Sequence, residues 1–404
     1  MQRVVYAASA KITNRLESLD KRGSREADSL LQLLLRDAIK RRASSLHLEP
    51  QTTSTIVRLR IDGRLLRSKI ISKHLHDPLV AAIKRQAELD DQTFLPQNGS
   101  FTIEIAHQPT SIHATCLPTL IGERIVLHLE PAEPTTSLQQ LGYWGSPLTE
   151  LGRWLALPRG LILLVGDHGS QLQQTSAAIM RLLQQPSLRV AHVSGSTSRQ
   201  PSAKLNLALI DNPDVILINN LSGSDLIDTA VSAAASHLVI GVTSAASAEA
   251  ALLEVASWAS DQYSLSRFLV GVVFQSSEAL LCPICRQVHP LSSVQQKLIS
   301  THYPDMGELL GHYRSTYGLP SIPAACYSRE PKGCKACHHS GTNGQIAIPE
   351  ISPASIRLKR LIINGDISLR TAQSELRKSA ILKSDADHLT KALAGHIEWR
   401  SLAA

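Results

Sequence analysis

The chain has few aromatic residues, few methionines and no long apolar run. Of its 404 residues, 4% are Phe, Trp or Tyr, and three are Met. The longest apolar stretches, such as residues 160–166 and 238–242, fall far below the roughly 18 residues that span a bilayer. The opening MQRVVYAASAK holds an apolar run of only about seven residues, at the lower limit for a signal peptide. The sequence therefore argues against a membrane-spanning or secreted protein.

Neither sign of charge dominates. Lys and Arg outnumber Asp and Glu by 41 to 34, which gives a net charge of +7 and a pI near 9.1. This mild excess permits an acidic partner such as a nucleotide, a nucleic acid or an anionic lipid without requiring one. The 43% apolar and 19% charged residues exclude a disordered or fibrous chain. The length predicts two or three globular domains.

The first part of the chain is predicted to hold a leader, residues 1–26, and an N-terminal α/β domain, residues 27–135. Apolar residues recur at helical spacing from residue 27 to 42. Asp62 and Gly63 predict a hairpin turn. Strands are predicted at 44–49, 55–61, 65–71, 100–106 and 121–129, with a helix around 78–88.

Buried strands alternating with helices begin at residue 160. The segments GLILLVG, LRVAHVSG, DVILINN and HLVIGVT predict a parallel sheet with helices on both faces. We assign this pattern to a domain at residues 145–275. An irregular cysteine-containing region follows at 276–345, and residues 346–404 are predicted to be helical.

Four of the six cysteines form two C-x-x-C pairs, Cys282 with Cys285 and Cys334 with Cys337. Each pair can hold two thiolates near one ion, and two pairs complete the closed tetrahedral set of a structural zinc site. The alternative is two unrelated pairs of reduced thiols. His338 and His339 are alternative zinc ligands, whereas Cys116 and Cys326 are expected to have no metal role.

A second motif follows the strand at residues 160–166. Gly166, Gly169 and Ser170 have the frame of a phosphate-binding turn before a helix. A Walker A loop reads G-x-x-x-x-G-K-[ST], and its last three places are here Gln171, Leu172 and Gln173. Taken alone, the motif is a glycine-containing turn.

A third motif, NPDVILINN, spans residues 212–220. A buried strand ending in carboxylates would be a Walker B element that orders magnesium and activates water. This strand ends in Asn219 and Asn220, which are neutral. An asparagine cannot act as a general base.

Taken in order, the motifs resemble the hexameric ATPases of type II secretion and type IV pilus assembly, the GspE/PulE/PilB group. The resemblance covers roughly residues 28–365. RRASSLHLEP followed by RLRIDG is similar to A-S-D-I-H-I-E-P and R-x-R-I-D-G of the family. LPQNGSF, LPTLIGERIVLHL, NPDVILI and the cysteine pairs followed by SGTNGQIAIPEI match further family motifs in the same order.

The resemblance implies a cytoplasmic motor at the inner membrane, with a RecA-like P-loop core and a zinc-bearing insertion. By family match, a degenerate nucleotide site comprises Gly166, Gly169, Ser170, Arg58 and Arg60. Leu172 stands at the place of the family's Walker A lysine, and Asn219-Asn220 stand at the place of its Walker B acid. No catalytic residue is assigned, and binding of ATP with magnesium is expected to be weak or absent.

Three functions remain open at this point. The leading hypothesis is a non-hydrolysing homologue that acts as a scaffold or partner of the secretion or pilus machinery. Its partners would be inner-membrane platform proteins or an active paralogous ATPase, in a homo- or hetero-hexamer. The alternative is a working ATPase with an unusual site. The third, a basic zinc protein that binds nucleic acid, is not expected because aromatic residues and basic stripes are scarce.

Overall fold

The computed structural model describes residues 23–90, 95–105, 108–131, 137–167, 170–194, 201–303 and 325–399. The chain divides into two compact units, Met1–Pro134 and Thr135–Ala404. Most of the expected leader, residues 1–22, lies outside the described residues. Within them, no helix combines the length and apolar character needed to cross a membrane.

Among its described residues, the first unit has an antiparallel sheet and two α-helices, α1 (Gly23–Lys40) and α2 (His76–Gln86). Its six strands have the order β3-β2-β1-β6-β5-β4. They are β1 (Ala43–Pro50), β2 (Ser54–Ile61), β3 (Arg64–Ser72), β4 (Gln97–Ile105), β5 (Gln108–Thr119) and β6 (Gly122–Pro131). The strand β5 was not predicted from the sequence, because it contains two prolines, which have no N–H to donate. Pro109 and Pro118 lie near the two ends of β5, where loss of an N–H donor is tolerated.

The two faces of this sheet differ in polarity. Along β2 burial alternates, so that Val57 and Leu59 lie in the core while Arg58 and Arg60 lie on the opposite face. Apolar side chains of α1, including Leu31, pack in the same core. This period-two pattern leaves one face of the sheet polar.

The second unit is built on a six-stranded sheet of order β14-β11-β7-β10-β9-β8. Its strands and a separate two-stranded sheet are β7 (Gly160–Gly166), β8 (Val190–Ser194), β9 (Val215–Asn219), β10 (Leu238–Ser244), β11 (Leu269–Leu281), β12 (Gln287–Pro290), β13 (Ala325–Ser328) and β14 (Thr342–Pro353). The α-helices in the described part of this unit are α3 (Leu138–Leu141), α4 (Gly145–Leu155), α5 (Leu172–Leu183), α6 (Pro201–Ile210), α7 (Ser224–Ala233), α8 (Ala248–Trp258), α9 (Gln262–Phe268), α10 (Ser293–His302), α11 (Ile356–Ile363), α12 (Leu369–Ser379) and α13 (Ser384–Leu393).

Successive apolar residues of β7 face opposite cores. Leu161 and Leu163 belong to one cluster, and Ile162 and Leu164 to the other, because side chains of a strand alternate between its two faces. Helices cover both faces, as the sequence predicts for a parallel sheet. The strands β8, β9, β10, β7 and β11 pair in parallel.

The remaining strand, β14, runs antiparallel along β11. Most of β14 falls in the region 346–404 that the sequence predicts to be helical, but the helices α11, α12 and α13 begin only at residue 356. Both β11 and β14 run through the expected region boundaries at residues 275 and 345. The division of the second unit into three regions therefore stays a prediction, while the cysteine-containing segment extends from the ends of these two strands.

Lys391 of α13 is the centre of a buried polar network. It is fully buried, and its Nζ donates to the carbonyl oxygens of Gly142 at 2.8 Å and Ala347 at 2.7 Å, and to Asp387 Oδ2. Nζ also lies 5.1 Å from the centre of the Trp144 ring. Burial lowers the pKa of Lys391, and the carboxylate of Asp387 opposes that shift. The network fastens α13 to β14 and to the segment after α3.

We expect the second unit to lose stability in mild acid because His396 is kept neutral. Burial, together with the charges of Arg286 and Lys391, lowers the pKa of His396 to about 4, against about 6.5 in an unfolded chain. Between these values the unfolded chain binds a proton that the folded chain lacks, so the free energy of unfolding decreases as pH falls. From pH 7.5 to 5 the loss is about 2 kcal/mol.

Urea unfolding at the two pH values checks this expectation. The readout is tryptophan fluorescence, because all four tryptophans lie in the second unit. The variant H396Q should lose less stability in acid than the parent, whereas H302Q, at an exposed histidine of α10, should match the parent. Equal acid dependence in H396Q and the parent would refute the assignment.

Candidate functional site

The four cysteines of the C-x-x-C pairs converge on one point. Their Sγ atoms lie within 4.8 Å of one another. Cys282 and Cys334 have their sulfurs 3.9 Å apart, Cys285 and Cys337 are also 3.9 Å apart, and Cys334 and Cys337 are 3.8 Å apart. This arrangement is a possible metal-binding site.

The backbone around the second pair turns its N–H groups toward sulfur. The N–H groups of Cys334 and Gly341 donate to Cys337 Sγ, at 3.1 and 3.2 Å. Gly341 has φ +74°, a conformation that favours glycine. Burial raises the pKa of the Cys337 thiol, but these N–H groups lower it, so that it lies at about 6. Hydrogen bonds to sulfur thus favour the thiolate that a metal requires.

The other candidates for this site lie apart from the cluster. His338 and His339 follow the second pair, are exposed, and do not belong to the four-thiol group. Cys326 lies in β13, where its thiol contacts the carbonyl oxygen of His289 at 3.6 Å. Cys116 is buried in the core of the first unit. Among the described residues, the thiols of the two pairs are therefore the available ligand set.

The C-terminal segment is attached to the cysteine-containing region. The guanidinium of Arg286, one residue after the first pair, lies 4.6 Å from the centre of the Tyr327 ring and donates to Gly395 O. The N–H of Trp399 donates to Tyr327 O at 2.9 Å. These contacts hold the segment after α13 against the cysteine-containing region.

The glycine-containing turn between β7 and α5 is a second candidate site. Gly166 ends β7, Ser170 lies close to it, and Gly169 lies outside the described residues. Both donors of Ser170 are used locally, since its N–H and hydroxyl donate to Asp167 O at 3.2 and 2.7 Å. Gln171, the residue immediately before α5, has φ 61° and stands where the Walker A pattern has a glycine.

Leu172 turns inward at the start of α5. It is 8% exposed and belongs to one of the two apolar cores that flank β7. Its Cγ lies so close to Gly166 that a Cβ on that glycine would be 2.9 Å away. The side chain therefore packs against the end of β7 and does not extend over the turn.

A buried polar network lies behind the turn. Gln275 of β11 is fully buried and pairs in register with Gly166. Its Oε1 accepts from Tyr143 Oη at 2.6 Å and from Thr175 Oγ1 at 2.8 Å, and its Nε2 donates to Ser170 O. Gln275 was not a predicted site residue, because in the sequence it stands directly before the polar residues Ser276, Ser277 and Glu278, and nothing local marks it as the one that is buried with partners.

The end of β9 carries amides. Asn219 Nδ2 lies 2.9 Å from His192 Nε2, and Asn220 has φ 61° and is exposed. Neither side chain can ionise in the physiological range. The carboxyl edge of the sheet has no carboxylate at this position.

The two arginines assigned by family match lie in the first unit, on β2. Arg58 Nε donates to Glu49 Oε2 at 2.8 Å, and Arg60 Nη1 donates to the carbonyl oxygen of Gly63 at 2.9 Å. Arg124 lies 3.6 Å from the other oxygen of Glu49. Arg58 and Arg124 therefore share one carboxylate, which offsets part of their charge.

Comparison with known proteins identifies relatives along most of the chain. A profile of the family described as type II/IV secretion system protein matches residues 20–402. The putative type II secretion system protein E of Escherichia coli K12 is 28% identical over 391 residues, or 92% of this chain and 75% of the relative. The type IV pilus assembly ATPase PilB of Myxococcus xanthus is 26% identical over 383 residues, or 88% of this chain and 64% of the relative.

A solved structure shares the fold. The ATPase DotB of Legionella pneumophila superposes with a TM-score of 0.59 over 90% of this chain and 92% of its own, at 13% sequence identity. This likeness confirms the predicted fold class, an α/β core of RecA-like type preceded by a small α/β unit. Together with the profile match and the named relatives, it shows homology to secretion and pilus-assembly motor ATPases. The chain belongs to the type II/IV secretion system protein family.

Proposed function

We propose that this chain keeps the scaffold of a secretion or pilus-assembly motor but does not hydrolyse ATP, and acts by binding partners. One observation carries the proposal: Leu172 occupies the place of the Walker A lysine and is buried in the core. A lysine there reaches the β and γ phosphates of the nucleotide. A buried leucine supplies neither the charge nor the reach.

The charges of the turn oppose phosphate binding. In residues 166–175, Asp167 is negative and no residue is Lys or Arg. The N–H and hydroxyl of Ser170 already donate to Asp167 O, and Gln173 stands where a hydroxyl would hold magnesium. The residues present therefore do not fit the phosphates of ATP with magnesium.

The catalytic acid is also missing from its place. Asn219 and Asn220 end β9, and neither can take a proton from water or carry the negative charge that orders magnesium. The losses fall on separate elements, α5 and β9. Retention of both apolar cores explains how the fold survives them, because neither Leu172 nor Asn219 leaves a charge buried without a partner.

The cysteine cluster is proposed to hold structural zinc through Cys282, Cys285, Cys334 and Cys337. A tetrahedral site with Zn–S bonds of 2.3 Å places its sulfurs about 3.8 Å apart, close to the 3.8 and 3.9 Å separations in this cluster. Four sulfur ligands leave no open position, so the ion would stabilise the fold without taking part in catalysis.

The proposed partners follow from the relatives. They are named as proteins of type II secretion and as a type IV pilus assembly ATPase. We place this chain at the cytoplasmic face of the inner membrane, with platform proteins or an active paralogous ATPase as partners in a homo- or hetero-hexamer. Nucleic acid is not proposed as a partner.

Calorimetry with ATP and magnesium on the zinc-loaded chain tests the nucleotide part of this proposal. We expect a dissociation constant in the millimolar range or weaker, because the turn lacks the charge-assisted contacts that bind phosphate. The engineered variant Q171G/L172K/Q173S should bind more tightly than the parent. Micromolar binding by the parent would instead support a working ATPase with an unusual site.

A further inference from the structure

A basic pocket lies at one end of the six-stranded sheet of the second unit. The glycine-containing turn between β7 and α5 lies at the other end of that sheet. Its volume is about 190 Å³, and its lining includes Arg159, Arg267 and Lys359. The pocket lies where β7 begins at Gly160 and β11 begins at Leu269. Since β7 has seven residues, the pocket is about 20 Å from Gly166 along the strand. It is therefore separate from the site described above.

Throughout the described ranges, none of the three cations of this pocket forms an ion pair with a carboxylate. Arg159 donates to the carbonyl oxygen of Ala235 at 3.3 Å, and the guanidinium of Arg267 lies 5.6 Å from the centre of the Phe268 ring. Three like charges around one concavity repel one another, and a bound anion would offset this repulsion.

The backbone of the pocket is also irregular. The pairing of β11 with β7 has a bulge between Leu269 and Gly271, which leaves Val270 without a residue opposite on β7. Val270 lines the pocket. Gly160 has φ +133°, and a Cβ there would lie 2.5 Å from Val270 Cγ2. Bulges of this kind direct groups at the rim of a sheet toward a site.

Lys359 is partly withdrawn from water. It lies on α11, is half-buried, and its pKa is lowered by that burial. A lysine in this setting gains more from a nearby anion than one fully in solvent, because the effective dielectric is lower. The partial burial of Lys359 therefore favours binding of an anion in this pocket over simple hydration of its ammonium group.

We propose that Arg159, Arg267 and Lys359 bind a phosphate group in this pocket. The guanidinium fork of arginine matches two oxygens of a phosphate, and lysine adds a point charge. The volume holds several waters, so a tetrahedral oxyanion fits. The phosphate can belong to a soluble phosphate compound or to a lipid headgroup, and the chemistry of recognition is the same.

Calorimetry with inorganic phosphate on the full zinc-loaded chain tests the site, with chloride at equal ionic strength as the reference. We expect saturable binding of phosphate and none of chloride. The variant R159Q/R267Q/K359M should bind at least about tenfold more weakly, because it loses the charge-assisted hydrogen bonds. Its circular dichroism and melting curve establish that it is folded.

A matched control removes three positive charges elsewhere. Lys204, Lys297 and Arg370 are exposed, and the variant K204Q/K297Q/R370Q should bind phosphate within twofold of the parent. Equal weakening in both variants would show a general effect of net charge and would overturn the proposal. Absence of phosphate binding to the parent would also overturn it, unless vesicles bind as described next.

Flotation with vesicles distinguishes the two sources of the phosphate. Vesicles of phosphatidylcholine with phosphatidic acid are compared with phosphatidylcholine alone. Flotation that needs phosphatidic acid and is lost in R159Q/R267Q/K359M supports a headgroup, and phosphate binding without flotation supports a soluble compound. If neither probe binds through these residues, the proposal is wrong.

Discussion

Replacing Cys337 with serine is expected to remove the proposed zinc ion and unfold the segment between β11 and β14. Cys337 is 1% exposed, and its sulfur lies 3.8 Å from that of Cys334 and 3.9 Å from that of Cys285. Loss of one ligand opens a closed site, and structural zinc contributes apparent folding energies of about 10–16 kcal/mol in small fingers. Zinc content should fall from about one per chain to below about one tenth.

The same variant should release the C-terminal segment. Trp399 is bonded to Tyr327, so its fluorescence should shift to longer wavelength, and proteolysis should cleave near residues 282–341. The control is C326S, since Cys326 is buried in the same region but lies outside the four-thiol group. Full zinc content in C337S, or equal loss in C326S, would contradict the assignment.

Replacing Lys391 with alanine is expected to cost about 3–5 kcal/mol of the free energy of unfolding of the second unit. The substitution removes the ammonium group that donates to the buried carboxylate of Asp387 and to the carbonyl oxygens of Gly142 and Ala347. Urea unfolding followed by tryptophan fluorescence measures the change. K391M keeps the volume of the side chain and should still be strongly destabilised, which separates loss of charge from loss of packing.

An exposed lysine of α12 provides the matched control. Lys378 also forms an ion pair on its own helix, 3.2 Å from Glu375 Oε1, but its side chain is 62% exposed. K378A should therefore cost only about 0–1 kcal/mol. If K391A and K378A had equal stabilities, the network around Lys391 would not fasten α13 to the rest of the unit.

Local sequence patterns predicted much of the second unit. The strands around Ile162, Leu217 and Ile240 are apolar on both faces, and that composition is typical of a parallel sheet between two helical layers. The spacing of the cysteine pairs also predicted their convergence, because each pair is a local feature and four thiols favour one ion.

Long-range features were less predictable. The antiparallel pairing of β14 with β11 joins segments separated by the whole cysteine-containing region, and no local pattern specifies that register. Gln275 forms hydrogen bonds with residues about 100 or more positions away in the sequence. Lys391 reads from sequence as a solvated lysine on an amphipathic helix, because burial of its charge depends on Gly142 and Ala347, which are distant in the chain.

The prediction of a degenerate nucleotide site depended on residues at motif positions, and the structure adds a physical account of them. Leu172 is in the core and Ser170 is bonded within the turn. From the sequence alone, it is clear only that the motif lacks the Walker A lysine at position 172. The contacts of Leu172 and Ser170 give the turn hydrogen bonds and apolar packing of its own.

The most direct test of the account is ATP turnover by the purified, zinc-loaded chain, with the Myxococcus xanthus ATPase PilB assayed in parallel as the active reference. Phosphate release should not exceed that of a buffer blank, at least about 10⁴-fold below typical enzyme rates near 10 s⁻¹, because the lysine, hydroxyl and acid are all absent. Turnover that copurifies with the chain and disappears in R58A/R60A would contradict the account, and would identify this protein as a working ATPase.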